Sequence, residues 1–415
     1  MFQSFTIIVA FAALFSYINH RLLKLPVTIG ILILSLILSA GFASLREFSP
    51  YLFQQACQVV DNINFREILM DVMLSFLLFA GAAHVNLKAL KKERLAVFLF
   101  ATLGVLISTG IVGVLTYFVL GAIGIHISFV HCLLFGALIS PTDPVAVLAI
   151  LKGANVNKSL ELKISGESLF NDGVGVVIFL SILMVAEQGV EHFSFGEILH
   201  LLGFEAIGGL IYGTVLGFLG YYLLRTIDDA PKIEVLITLA IAMGGYSLAT
   251  LIHVSGPLAM VVAGLIIGNR IRSDEFSDSS RAHVDMFWEM LDDMLNAILF
   301  VLIGLEMLTL SFDSNYFIGG LLAIVIILIA RFISVGLPFS LMKSKEGSPL
   351  KTITVLTWGG LRGGISVALA LSLPLSMPRE VIVFITYVVV VFSILLQGLT
   401  IGKLVKKMKF SGSNI

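Results

Sequence analysis

The chain has 415 residues, 58% of them hydrophobic and 13% charged, with a mean hydropathy of +1.03. Soluble domains carry about 25% charged residues, so this composition excludes a soluble enzyme or binding module and implies a membrane protein. The formal net charge of −1 offers no basic surface to a nucleic acid, and Cys57 and Cys132 are too few for a disulfide framework and lack metal-ligand spacing.

Apolar stretches of about 20 residues, each long enough to cross a hydrocarbon core of about 30 Å, recur along the chain. The first lacks a basic leader and is followed directly by another, so it reads as a transmembrane helix and not a signal peptide. The spans fall at 3–19, 26–45, 66–87, 95–121, 127–151, 159–187, 197–224, 233–252, 257–269, 282–308, 316–342, 352–373 and 380–402. This is an all-α polytopic protein of about thirteen helices. Basic residues in the connections alternate with this count. Twenty lie on one side, from Arg21 and Lys24 to Lys403, Lys406, Lys407 and Lys409, and only Arg46 and Arg379 on the other. Basic loops stay cytoplasmic, so the N-terminus is expected outside and the C-terminus inside. Arg66 and Lys163 fall near helix starts.

Five charges remain within apolar segments: Asp143, Glu167, Asp172, Arg331 and Arg362. An ionised side chain at the bilayer centre costs at least about 2.5 kcal/mol, so such groups pair or line a polar cavity. The fifth span contains Ser140-Pro141-Thr142-Asp143-Pro144. Each proline lacks an N–H and frees the carbonyl four residues earlier, Ala137 for Pro141 and Ser140 for Pro144. The pair predicts a break at membrane depth, tolerated only where it is buried or lines a cavity. Asp143 then complements the positive end of the second half-helix. A simple kink is the plainer alternative.

The sixth span contains Gly166-Glu167-Ser168-Leu169-Phe170-Asn171-Asp172-Gly173. Helical neighbours lie three and four positions apart, which places Glu167 by Asn171 and Ser168 by Asp172. That stripe offers a hard monovalent cation several oxygens from one helix. The twelfth span carries Trp358-Gly359-Gly360-Leu361-Arg362-Gly363-Gly364, where four glycines weaken the helix around one arginine. Spans five and twelve are seven apart, so an acidic and a basic break occupy matching positions in two halves, as in transporters built from inverted repeats.

These three runs resemble those of sodium/proton antiporters of the NhaP type, in the cation:proton antiporter family that includes the eukaryotic sodium/proton exchangers. The resemblance covers essentially the whole membrane region. It implies a thirteen-helix fold of two inverted repeats with crossed broken helices, a homodimer, and a six-helix ion-carrying domain that moves against a dimerisation domain. Within one unit, 1–410, spans 3–6 and 10–13 are assigned to the ion-carrying side and spans 1–2 and 7–9 to the scaffold; 411–415 form a short cytoplasmic tail. By position, the resemblance makes Asp172 the ion-binding aspartate, Ser168 a side-chain ligand and Thr142 a carbonyl ligand. Asn171 matches the asparagine that separates this group from relatives with two adjacent aspartates. Glu167 and Arg331 match an inter-helix ion pair, and Asp143 and Arg362 the charges that settle the crossed half-helices. Ala80 departs from the acid many relatives carry before Gly81, so no accessory site is expected on the third span.

If Glu167 neutralises Arg331 and Asp143 neutralises Arg362, Asp172 alone has a variable charge. Competition of one sodium (or lithium) and one proton for it gives one-for-one, electroneutral exchange by alternating access. No cofactor is expected beyond the transported ions, and the expected setting is the inner (plasma) membrane of a prokaryote. Potassium/proton exchange on the same fold is the nearest alternative, because oxygen ligands alone do not separate the cations. An intramembrane aspartyl protease using Asp143 and Asp172 is chemically sound, but the chain has no Gly-x-Gly-Asp run. A ring-lined channel fits the asymmetric charges less well. His84, His131 and His253, near span ends, read as interfacial hydrogen-bonders or pH sensors. Asp285, Glu289, Asp292 and Asp293 open the tenth span as a cation funnel or as a solvated helix end.

Overall fold

The structure is a computed structural model that describes residues 2–61, 67–153, 158–189, 195–227, 230–273, 276–342 and 349–408. Arg66, Lys343, Lys345, Lys409 and the tail at 411–415 lie outside the described residues. Among the described residues every regular element is helical apart from a single antiparallel bridge between Asp143 and Leu361.

Among the described residues, eight helices are long and apolar enough to cross a membrane: Gln3–Leu23, Val27–Arg46, Arg94–Ala122, Lys158–Gln188, Leu202–Arg225, Pro231–Leu251, Ser314–Leu341 and Arg379–Lys407. Five more crossings complete the thirteen. The third (Ile68–Ala83) and ninth (Gly256–Ile271) are short. The tenth (Asp278–Glu306) carries too many charges at one end to read as uniformly apolar. The fifth (Phe129–Ile139 and Val145–Gly153) and twelfth (Pro349–Trp358 and Gly364–Leu371) are each split in two. One helix has no counterpart in the sequence reading: Pro50–Asp61, between the second and third spans. Its 12 residues are too few to cross a bilayer.

Two groups of helices emerge from the packing. The fourth, fifth, sixth, eleventh, twelfth and thirteenth spans hold one another. Arg331 pairs with Glu167 across spans eleven and six, and Ser140 Oγ donates to Ser108 Oγ (2.9 Å) across five and four. Trp358 Nε1 donates to Thr400 Oγ1 (2.9 Å) across twelve and thirteen. The remaining spans form the second group.

Spans three and ten, expected on the ion-carrying side, make close contacts with spans two, eight and nine. Gly264 lies so close to the third span that a Cβ there would stand 2.5 Å from the Phe79 carbonyl. Asn269 Nδ2 donates to the Val85 carbonyl, its Oδ1 accepts from Leu87 N, and Arg272 Nη1 donates to the Ala83 carbonyl. The tenth span is tied to the second by Ser39 Oγ donating to the Gly304 carbonyl (2.6 Å). Trp288 Nε1 to Thr238 Oγ1 and Ser280 Oγ to Glu234 Oε1 tie it to the eighth. Trp288 also packs its ring 4.5 Å from that of Phe79. Hydrophobic pattern alone cannot reveal this division, since helix association in lipid depends on close backbone approach and on polar pairs between particular positions.

Candidate functional site

Prolines 141 and 144 end and restart the fifth span, and residues 141–144 run as non-helical backbone between its halves. The twelfth span opens in the same way at 360–363. The two non-helical segments cross, joined by Asp143 N donating to the Leu361 carbonyl (2.8 Å). Gly363 permits the crossing, since a Cβ there would lie 2.5 Å from Asp143 Oδ2.

Each charge serves the backbone of a break. Asp143 Oδ1 accepts from Val145 N (2.9 Å) at the start of the second half-helix, where an acid meets the positive end of the peptide dipoles. Arg362 Nη1 donates to the carbonyls of Ser140 (2.5 Å) and Pro141 (3.0 Å). The Ser140 carbonyl is one of those that the prolines free, so the arginine of one broken span satisfies the orphaned acceptor of the other. The expected Asp143–Arg362 ion pair is therefore not made as a direct contact. Each side chain meets peptide groups instead: Asp143 the Val145 amide, Arg362 the Ser140 and Pro141 carbonyls.

The Glu167–Arg331 pair is formed, with Oε1 2.5 Å from Nη1, and both residues are buried. Gly360 makes room for it, since a Cβ there would stand 2.6 Å from Arg331 Nε. Asn171 is buried and grips the broken span in two ways. Its Nδ2 donates to Thr142 Oγ1 (2.8 Å) and its Oδ1 accepts from Thr142 N (3.4 Å). Ser168 Oγ donates to the Thr142 carbonyl. The structure thus brings Ser168, Asn171 and Thr142 together, and one turn of the sixth span holds the non-helical segment in register.

Asp172 differs from the other charges. It makes no hydrogen bond or ion pair among the described residues, it stays partly accessible, and Asp143 lies within its electrostatic reach. Its surroundings mark the meeting of the two helix groups. A Cβ at Gly173 would press on Leu258 of the ninth span, and one at Gly175 on Pro141 of the fifth.

Other sequence candidates separate. Asp285 is occupied by Arg272 (2.8 Å), while Glu289 and Asp293 are exposed. Asp292 is half-buried and lies in the field of Asp143, so of this acidic group it faces the crossing. His84 Nδ1 meets the Ala80 carbonyl and His131 Nδ1 meets Ser128 Oγ, the contacts of interfacial hydrogen-bonders. Two supporting residues escaped the sequence reading. Ser393 Oγ accepts from Arg362 N (2.9 Å) and donates to Gln397 Oε1, and Gln397 Nε2 donates to the Trp358 carbonyl. Both stand in a π-helical turn, Ser393–Gln397, of the thirteenth span. The available signal was a serine and a glutamine four apart in an apolar helix, and such wide turns recur at functional sites. No group of three or more metal-ligating side chains occurs among the described residues.

Comparison with known proteins agrees with this geometry. Residues 8–407 match the family model described as "Sodium/hydrogen exchanger, transmembrane". The chain is 46% identical over 410 residues to the Na(+)/H(+) antiporter NhaP of Pseudomonas aeruginosa, covering 96% of this chain and 95% of the relative. It is 32% identical to the Na(+)/H(+) antiporter NhaH of Halobacillus aidingensis, covering 94% and 93%. Among solved structures, the sodium proton antiporter MjNhaP1 of Methanocaldococcus jannaschii superposes with a TM-score of 0.74 over 99% of this chain and 98% of its own, at 22% identity. That likeness extends the inverted-repeat fold to the whole chain. The chain is an integral membrane protein and belongs to the sodium/hydrogen exchanger family.

Proposed function

We propose that this chain exchanges one sodium ion for one proton, with Asp172 holding each in turn. The observation that carries the reading is the contrast at the crossing. Asp143, Glu167, Arg331 and Arg362 are all committed to backbone or to each other, whereas Asp172 is partly accessible and uncommitted. These four charges stay fixed through the cycle, so the charge of the site varies only at Asp172. A bound proton or a bound monovalent cation each cancels the Asp172 charge; both together place an excess positive charge on one carboxylate in low dielectric, which is strongly disfavoured.

The Thr142 carbonyl and Ser168 Oγ complete the oxygen set. In the proton-loaded site the Ser168 hydroxyl points at that carbonyl. When a cation enters, the hydroxyl turns its proton aside and presents a lone pair, and the carbonyl is released toward the ion. Asn171 spends its amide on Thr142, so its part is to position that residue. The six-helix group then moves against the scaffold, with Asp172 at the boundary between them, and exposes the site to alternate faces. The scaffold group forms a homodimer. The basic connections lie on the cytoplasmic face of a prokaryotic plasma membrane, and Asp292 guides cations from that face toward the crossing.

The test is a proteoliposome flux assay with sodium, lithium and potassium salts, run with and without an imposed membrane potential. Cation-dependent proton flux that ignores the potential supports the reading. Acceleration by the potential rules out one-for-one exchange, and flux with potassium alone gives the site to the larger cation.

A further inference from the structure

Beside the crossing, Arg331 and Arg362 both line a small cavity of about 10 Å³, together with Thr357, Gln397 and apolar residues such as Ile327 and Phe392. Arg331 and Arg362 are 6% and 2% exposed, and Thr357 is 9% exposed. Three guanidinium nitrogens among them, Arg331 Nε and Arg362 Nε and Nη2, have no protein acceptor, and the Thr357 hydroxyl has no protein partner. Buried polar atoms are almost always satisfied, and four on residues that line one cavity call for a shared ligand.

We propose that this cavity is the resident site of one small inorganic anion of halide size, held by Arg331, Arg362 and the Thr357 hydroxyl. Its volume matches a single small species, since about 10–15 Å³ accommodates one water-sized sphere. The chemistry of the lining selects which. Guanidinium groups only donate, and the threonine hydroxyl can donate as well. A water molecule must place two hydrogens of its own, and Thr357 Oγ1 is the sole acceptor among these four atoms. A halide accepts from all four and gives nothing back. Charge points the same way. Arg331 has a carboxylate at 2.5 Å, whereas Arg362 meets only carbonyls and Asp143 is turned to the start of its own half-helix. One guanidinium charge thus lacks a contacting counter-charge in a region where an unpaired charge is costly. The anion supplies it and holds Arg362 against the Ser140 and Pro141 carbonyls. This inference is independent of which cation the exchanger carries.

The test uses the purified full-length protein in detergent. Its thermal unfolding midpoint is measured in sodium gluconate with increasing sodium chloride or bromide at constant ionic strength, and crystals grown in bromide are examined for anomalous scattering. The midpoint is expected to rise by several degrees and to saturate, as ligand binding to the folded state requires. Thr357→Val should lose the rise, whereas Thr357→Ser, which keeps the hydroxyl, should retain it. An anomalous peak is expected within hydrogen-bonding distance of both guanidinium groups. No peak in the cavity, a midpoint indifferent to halide, or an equal rise in Thr357→Val would each overturn the proposal.

Discussion

The two broken helices look like mirror partners in the fold, yet they are built for opposite tasks. The twelfth span's break is closed. Gly360 and Gly363 let neighbours press against the backbone, Ser393 and Gln397 hold its peptide groups, and Arg362 is almost completely buried. The fifth span's break is held by the sixth span at Thr142 and by the twelfth at Ser140, Pro141 and Asp143, yet it is not sealed. Asn171 and Ser168 fix Thr142, while Asp143 and the neighbouring Asp172 keep partial access. The basic break thus supplies fixed charge and satisfied backbone, and the acidic break supplies oxygen atoms that a cation can reach. A symmetric fold makes an asymmetric site by sealing one half and leaving the other partly open.

The largest expected effect tests the open side. Asp172→Asn keeps the shape of the side chain and removes its variable charge, so sodium-dependent proton flux in proteoliposomes should fall to the level of empty vesicles. The unfolding midpoint should stay at or above that of the wild type, since Asp172 has no partner to lose. Retained exchange would move the ion site elsewhere and dissolve the contrast between the breaks. With Asp172 intact, competition makes a second demand. Below the pH at which the carboxyl gives up its proton, each unit of acidification should weaken apparent sodium affinity about tenfold, by reciprocal linkage of the two ligands.

Next in size is the committed pair. Removing one partner of a buried ion pair leaves a charge without compensation, at a cost of about 3–5 kcal/mol. Glu167→Ala and Arg331→Ala should each lower the unfolding midpoint sharply. The double variant Glu167→Gln/Arg331→Met should recover much of that loss, because it removes both charges. If the double variant is as unstable as the sum of the singles, the pair is not the unit that the geometry indicates.

A smaller effect belongs to Asn171. Asn171→Ala deletes both hydrogen bonds to Thr142 and leaves Asp172 in place. Hydrogen bonds of this kind contribute about 0.5–1.5 kcal/mol each, so the apparent affinity for sodium should weaken by about tenfold with little change in maximal rate. An equal loss in the maximal rate would instead make Asn171 part of the moving step.

Much of this was legible before any coordinates. The thirteen crossings follow from hydropathy and basic connections, because lipid leaves the chain little freedom to hide its periodicity. Both breaks follow from Pro141, Pro144 and the glycines around Arg362, and the sixth-span cluster from helical spacing. Three features were not legible, each for a physical reason. Asp143 and Arg362 carry opposite charges, and sequence supplies no means of knowing that freed carbonyls intercept the arginine first. Spans three and ten pack on spans eight and nine through Gly264, Asn269, Arg272 and Trp288, whose partners lie far away in sequence. The helix Pro50–Asp61 is shorter than a span and rich in glutamine, so a search for crossings passes over it.

The finest test compares one hydroxyl on each side of the crossing. Ser168 and Ser393 are both buried serines of apolar helices, and each bonds a broken span: Ser168 the Thr142 carbonyl, Ser393 the Arg362 amide. Deleting either hydroxyl removes interactions of about 1 kcal/mol each. The consequences should nevertheless part. Ser393→Ala leaves a backbone N–H without its acceptor in the sealed break, so its effect should appear in the unfolding midpoint, with apparent sodium affinity unchanged. Ser168→Ala leaves a carbonyl that the incoming cation can use, so stability should hardly move, while sodium affinity falls several-fold for want of one ligand. Thermal unfolding and sodium titration on the two variants decide it. Should both serines change the same observable, the breaks share one role and the division between a sealed and an open half does not hold.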